Sequence, residues 1–417
     1  MTDGTQVPAF PAEVERQLEG VSPCDIAVAV LTYNNATTVP AVAEVVRTGL
    51  ERHFAGIPAA LINADAGSSD ATPDLLAAAG LPLVRARHET PLAQRTAVPF
   101  HGVPGRGAAL RLTFAVARRL GARGLVLLEA DVTSADAEWL RHLLRPVIEQ
   151  KADLVVPAYA RHRYDGTLTN LVLAPLVRAL FGRRLHQPLT GAAAFSARLL
   201  DRLLDDKRWP TPGRNQTDFW IEGTAIVGGF AVWEVWLGRR RAESRTRTAD
   251  LPTTVAQAVG GLFGVMSGYD DLWLEIGGSE PVPAAGAPVI PSVEPAALDV
   301  DRMVDAFRRG LRDLGAIWEH ILAPETLGDV LSLDTASPAR LGFPDDLWTR
   351  VVYDFALGHH YNVVYRDHLL RSLVPLYLGR TAAFVVATRD AGAAEAHLDA
   401  VGAAFERHKR YLVGRWR

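Results

Sequence analysis

Three apolar runs that each empty into a polar loop constrain this chain more than anything else in it. Residues 25–31 lead into Thr32, Tyr33, Asn34 and Asn35. Residues 61–64 lead into Asp65, Ala66, Gly67, Ser68, Ser69 and Asp70, and residues 125–128 into Glu129, Ala130 and Asp131. Such short runs, with little polar alternation, suit strands buried on both faces. Helical patterns over 39–53, 72–79, 108–120 and 137–149 separate or follow them, with Thr72 placed to cap the second. The alternation calls for an α/β fold: a mostly parallel, doubly wound sheet with helices on both faces. Its binding crevice then lies beyond the carboxyl ends of the strands, so the three polar loops are expected on one rim.

Glu129 and Asp131, one residue apart at such a strand end, are placed to share one divalent cation. A buried strand that merely ends in polar residues is an equally good reading of the stretch by itself. Pro104-Gly105-Arg106-Gly107 opens the third helix, where backbone amides and a guanidinium can approach an anion; a flexible turn carrying a solvated arginine fits as well. Further on, Arg161, His162 and Arg163 precede Gly166-Thr167-Leu168-Thr169, and Gln187-Pro188-Leu189-Thr190-Gly191 makes a turn before the apolar 192–195. Asp218 and Glu222 stand at i and i+4, on one face if a helix starts there. A late strand over 233–237 is followed by an arginine-rich run that includes Arg239, Arg240, Arg241, Glu243 and Arg245.

Length and composition set the outer limits. A chain of 417 residues with 48% hydrophobic content supports two cores. The reading is a loose arm followed by a short helix over 1–22, an α/β domain over 23–276, a proline- and glycine-rich linker over 277–297 and a helical domain over 298–417. A net charge of -3 gives no overall footprint for nucleic acid. The apolar windows 225–236 and 255–266 are short and broken by glycine, so no membrane span is expected. One cysteine, Cys24, excludes an internal disulfide framework and fits a reducing, cytoplasmic setting. Apolar stripes in the helical region (Leu347, Val351, Val352, Phe355; Leu369, Leu370, Leu373, Leu376) suit packing within the chain or a homodimer equally. His359, His360 and His368 match no compact ligand set.

In order and spacing these motifs resemble the GT-A glycosyltransferases, and within them the retaining enzymes that make glucosyl-3-phosphoglycerate and mannosylglycerate. The resemblance covers roughly 25–265 and extends to the helical C-terminal layout. It implies a hexosyltransferase using a UDP- or GDP-hexose and a small anionic acceptor such as D-glycerate. By that resemblance Thr32, Tyr33, Asn35, Asp65 and Gly67 hold the nucleoside. Arg106, in Gly105-Arg106-Gly107, faces the diphosphate side where the family has lysine. Glu129-Ala130-Asp131 takes the place of an Asp-x-Asp, Leu189 and Thr190 join the donor site, and Asp218 and Glu222 match an Asp-x-x-x-Asp. The implied catalytic residues are Asp131, Asp218 and Glu222. Arg161, Arg163, Thr167, Thr169 and Asp218 are expected at the acceptor.

Two departures stand out. The family's metal-binding histidine after the late strand is absent, with Ala242 and Glu243 in that region: either Glu243 joins Glu129 and Asp131 in an oxygen-only set suited to Mg2+ or Mn2+, or the metal is held more weakly, or it is absent. An arginine two residues before the acceptor threonine is replaced by Thr167 ahead of Thr169, which favours a non-phosphorylated acceptor. A relative that binds nucleotide sugar without transfer, and a nucleotidyltransferase on a similar sheet, are the competing readings.

Overall fold

The computed structural model describes residues 10–88, 103–188, 191–210, 216–242, 251–287, 298–333, 335, 337–389 and 393–416. Ten strands are described: β1 (Ile26–Thr32), β2 (Ala59–Asp65), β3 (Leu83–Arg87), β4 (Gly124–Glu129), β5 (Leu154–Ala160), β6 (Arg183–Arg184), β7 (Ala193–Ser196), β8 (Val232–Arg239), β9 (Glu280–Pro281) and β10 (Ala284–Ala285). The chain divides into two compact units. The first holds Met1–Ala160, Leu189–Ala249 and Val282–Val289; the second holds Arg161–Pro188, Asp250–Pro281 and Ile290–Arg417.

In the first unit eight strands form one sheet in the order β10-β8-β5-β7-β4-β1-β2-β3. All pairings are parallel except those of β7, which runs antiparallel between β4 and β5. The sheet is thus mostly parallel, as the apolar runs required. Both faces of its centre are covered. Ile26, Val28 and Val30 join one core with Val39, Val42 and Val46 of helix Val39–His53 and Leu140, Leu143 and Leu144 of helix Ala137–Ile148. The alternate residues Ala27, Ala29 and Leu31 are equally buried, and helix Arg106–Arg119, with Ala109, Leu110 and Phe114 buried, packs on β1 and β2.

Register settles the rim. Thr32 pairs with Asp65 and Leu31 with Glu129, so the loops after β1, β2 and β4 leave the sheet side by side. Because β7 is antiparallel, its first residue Ala193 sits opposite Leu127, and Gly191, two residues earlier, arrives level with Glu129. The end of β8 reaches the same rim from the other side, stitched there by a bridge between Val132 and Ala242 and by Thr133 N donating to Arg241 O at 2.9 Å. A reversed strand is therefore what brings Gly191 to the acids.

The short helix expected at the end of the arm is Ala12–Gly20, whose Gln17 exchanges hydrogen bonds with the Arg85 backbone on edge strand β3, at 2.7 and 3.1 Å. Other sequence expectations shift. Thr72 is no cap: it lies inside its helix, where its hydroxyl accepts from Asn35 N at 2.7 Å and donates to Asp70 at 2.5 Å. The expected linker contains β9 and β10, the latter adding an edge to the sheet beside β8. The boundaries drawn on the sequence are continuous, whereas 161–188 and 250–281 belong with the C-terminal helices.

Side chains in the second unit explain that membership. Lys409, on helix Ala393–Val413, gives its ammonium to the carbonyls of Trp273 and Ile276, each at 2.6 Å, and burial pushes it down to about 8. Arg178 pairs with Glu406 and Asp399, each at 2.7 Å, and the Trp348 indole donates to Leu171 O at 2.7 Å. Contiguous domain boundaries do not anticipate these bonds. The stripes Leu347, Val351, Val352 and Phe355, and Leu369, Leu373 and Leu376, are buried within this unit. Helix Arg366–Ala387 is long and apolar enough to cross a membrane by length and composition, a helix the apolar windows of the sequence did not pick out; 78% of its most apolar window is buried inside the protein.

Candidate active site

The first rim loops form a tight polar knot. Asp65, at the end of β2, accepts from Thr32 Oγ1 (2.8 Å), Gly67 N (2.9 Å), Ser68 N (2.7 Å) and Ser68 Oγ (2.5 Å). Thr32 also accepts from Asn63 at 2.9 Å and is fully buried. Tyr33 N donates to Asn35 Oδ1 at 2.8 Å, and Asn34 N to Ser68 Oγ at 2.8 Å. Thr32 and Asp65 therefore shape the loops that carry Tyr33, Asn35 and Gly67, with both Asp65 oxygens already engaged. Thr38 clamps the third loop by donating to Ala130 O at 2.6 Å.

At the end of β4 the two acids differ in their surroundings. Arg240 forks onto Glu129, Nε to Oε2 at 3.0 Å and Nη2 to Oε1 at 2.9 Å, and its Nη2 stands 3.9 Å from Asp131 Oδ1. Burial, then repulsion from Glu129, push the Asp131 carboxyl up to about 6 against the pull of Arg240 and Arg106. Arg240 in turn is held firmly in its charged form, first by the Glu129 charge. Sequence reading saw the arginine run after β8 and gave Arg240 no role; asking what balances Glu129 was the available signal.

A narrow cleft close to these acids is lined by Leu127, Val156, Phe195, Arg106, Gly191, Asp218 and Glu222. Helix Thr217–Val227 supplies both acids on one face, as the i, i+4 spacing required. Arg106 is 9% exposed and grips Asp218, with Nη2 to Oδ1 at 2.9 Å and Nε to both oxygens at 3.1 Å. Its Nη2 also donates to Gly191 O at 3.0 Å. The two residues expected at diphosphate and acceptor are thus each other's partners. Their approach needs Gly107, where a Cβ would fall 2.5 Å from Thr217 Oγ1.

Gly191 is the joint between cleft and acids. Its φ is +81°, and a Cβ there would sit 2.6 Å from Glu129 Cδ. Gly191→Ala is expected to displace Glu129 and lower stability by more than the roughly 1–2 kcal/mol of a left-handed alanine. Gly121→Ala, at φ +75° with open space around it, isolates the backbone part. Urea unfolding of both variants checks this; equal losses would mean that no steric conflict exists at Gly191.

Leu189, Thr190 and Glu243 lie outside the described residues. The expected acceptor residues Arg161, Arg163, Thr167 and Thr169 all fall in the second unit. There Arg163 donates to Arg389 O at 3.0 Å, the Thr167 hydroxyl meets the buried Tyr377 hydroxyl at 2.5 Å, and Thr169 opens the π-helical turn Thr169–Leu173. Among the described residues no group of three or more histidine, cysteine or acidic side chains forms a cation site. Two carboxylates nonetheless suffice for Mg2+ or Mn2+ when water and phosphate oxygens complete the shell, so Glu129 and Asp131 fit such an ion.

No family model and no curated protein matches the chain. It is similar to crystal structures of glucosyl-3-phosphoglycerate synthase from Mycobacterium tuberculosis. One, in complex with Mn2+, UDP and phosphoglyceric acid, has 24% identity over 63% of this chain and 83% of that one, with a TM-score of 0.44. A second, with Mg2+ and UDP, has 24% identity over 63% and 84%, with a TM-score of 0.43. A third, with Mn2+ and UDP-glucose, has 24% identity over 64% and 84%, with a TM-score of 0.43.

Proposed function

We propose that this chain is a retaining hexosyltransferase that moves glucose or mannose from a UDP- or GDP-hexose to a small hydroxy acid such as D-glycerate. One observation carries the reading: an acid pair at the carboxyl end of a central strand adjoins a cleft edged by a buried arginine and two further carboxylates. Open α/β sheets bind ligands at that rim.

In this reading Asp131, with Glu129, anchors Mg2+ or Mn2+, which when bound supplies positive charge where the departing diphosphate gains negative charge. Arg106 adds a second positive centre, oriented by its fork onto Asp218. Asp218 and Glu222 turn carboxylate oxygens toward sugar or acceptor hydroxyls. The acceptor hydroxyl attacks from the face the diphosphate leaves, and the leaving phosphate oxygen takes its proton, so no separate base is required. The basic segment with Arg161, Arg163, Thr167 and Thr169 is the proposed partner of an acceptor carboxylate. Cys24, buried and pushed up to about 11 by desolvation, stays a thiol and suits the proposed cytoplasmic setting.

Incubation with UDP- and GDP-hexoses against D-glycerate and 3-phosphoglycerate is the direct test. Product is expected with at least one pair, with D-glycerate preferred; no product from any pair would refute the transferase reading.

A further inference from the structure

The acid pair already holds a cation of its own. Arg240 presents two parallel donors to the two oxygens of Glu129, at 3.0 and 2.9 Å, and its Nη2 is 3.9 Å from Asp131. Planar forks of this kind are the stronger class of ion pair, and this one is sheltered: the Glu129 side chain is 10% exposed. Its place is fixed by the backbone. The Val132–Ala242 bridge and the bond from Arg241 N to Ser134 Oγ at 2.8 Å lace the Arg240 loop to the loop that follows Asp131. Gly191 approaches the Glu129 carboxylate so closely that a Cβ there would fall 2.6 Å from Cδ, which leaves the carboxylate between that backbone and Arg240. An incoming divalent ion and the guanidinium therefore compete for the same oxygens.

We propose that Arg240 is a built-in occupant of the cation locus, which a divalent ion must displace from Glu129, so that the donor-free protein binds Mg2+ or Mn2+ weakly and binds it tightly only together with a diphosphate. This rests on Glu129 and Asp131 being the cation anchor of the proposed donor site. Arg240 is then a positioning residue that couples cation entry to nucleotide entry. Neither ligand alone offsets the lost fork; together they bring both the charge for the acids and an anion for the freed guanidinium.

The test is a Mn2+ titration of the full chain, read by the electron paramagnetic resonance signal of free Mn2+, without nucleotide and then with UDP or GDP. Arg240→Gln, which keeps hydrogen-bonding capacity and loses the charge, is expected to bind Mn2+ at least tenfold more tightly than the native chain without nucleotide. The gap should shrink when nucleotide is present. Arg240→Lys keeps charge without the fork and is expected between the two, which keeps the test available if the glutamine variant folds poorly. Native affinity that is already tight without nucleotide, variants that bind Mn2+ no better than the native chain, or no Mn2+ binding by any of the three would each overturn the proposal. None of these readouts depends on sugar transfer, so failure of the transferase reading shows separately in the product assay.

Discussion

If the chain is the proposed hexosyltransferase, Asp131→Asn is expected to abolish transfer, and in any case to make the donor-free fold more stable. Losing the cation that Asp131 would anchor removes positive charge from the developing diphosphate, and the loss of one such electrostatic contact typically raises a barrier by about 3–4 kcal/mol, or roughly 10²–10³ in rate. The stability change has the opposite sign. The Asp131 carboxyl is pushed up from 3.8 to about 6 in the folded chain, chiefly by burial and next by Glu129. A raised carboxyl means that ionisation disfavours the fold. The associated stability is present at low pH and is lost as pH rises from about 4 through about 6. By neutral pH that loss amounts to at most about 3 kcal/mol, and asparagine does not incur it. Thermal unfolding with chelator at pH 5 and pH 7.5 reads this directly: the variant should melt a few degrees above the native chain at pH 7.5, with about half that difference at pH 5. A variant that melts lower at pH 7.5, or that retains transfer, contradicts the role given to Asp131.

The second large effect is structural. Arg106→Ala would strip Asp218 of its fork and Gly191 of a donor, in a place where the arginine is 9% and the aspartate 16% exposed. Breaking one side of such a pair typically costs about 3–5 kcal/mol, because the remaining charge stays buried. Replacing both members with apolar residues of similar size, as in Arg106→Met with Asp218→Leu, should recover much of that loss. Urea unfolding midpoints for the single and double variants decide it. A single variant that loses less than about 1 kcal/mol would mean that water already serves Asp218 well, and the cleft wall would then be a looser structure than the distances imply.

These two residues also show how far the sequence can be read. Helix Val39–His53 fell where the sequence put it, and β1, β2 and β4 agreed in identity and order, because buried strands and amphipathic helices announce themselves through local apolar spacing. That the loops after those strands share a rim followed from topology alone, and the register confirms it. The spacing of Asp218 and Glu222 puts them on one face if a helix starts there, and helix Thr217–Val227 meets that condition.

Partnerships were another matter. Nothing local marks Arg106 as the partner of Asp218, 112 positions away, or Arg240 as the partner of Glu129, 111 positions away. Both pairs exist because β7 turns against its neighbours and carries Gly191 to the acids, and because β8 ends beside them. The same holds for 161–188 and 250–281, whose allegiance to the C-terminal helices depends on Lys409 and Arg178 finding carbonyls and carboxylates far along the chain. By itself the sequence determined the elements, the rim and the acidic residues that stand on it, since spacing along the chain decides those. Only the tertiary structure decided which charge neutralises which, since an ion pair is fixed by distance in space and by the exclusion of water.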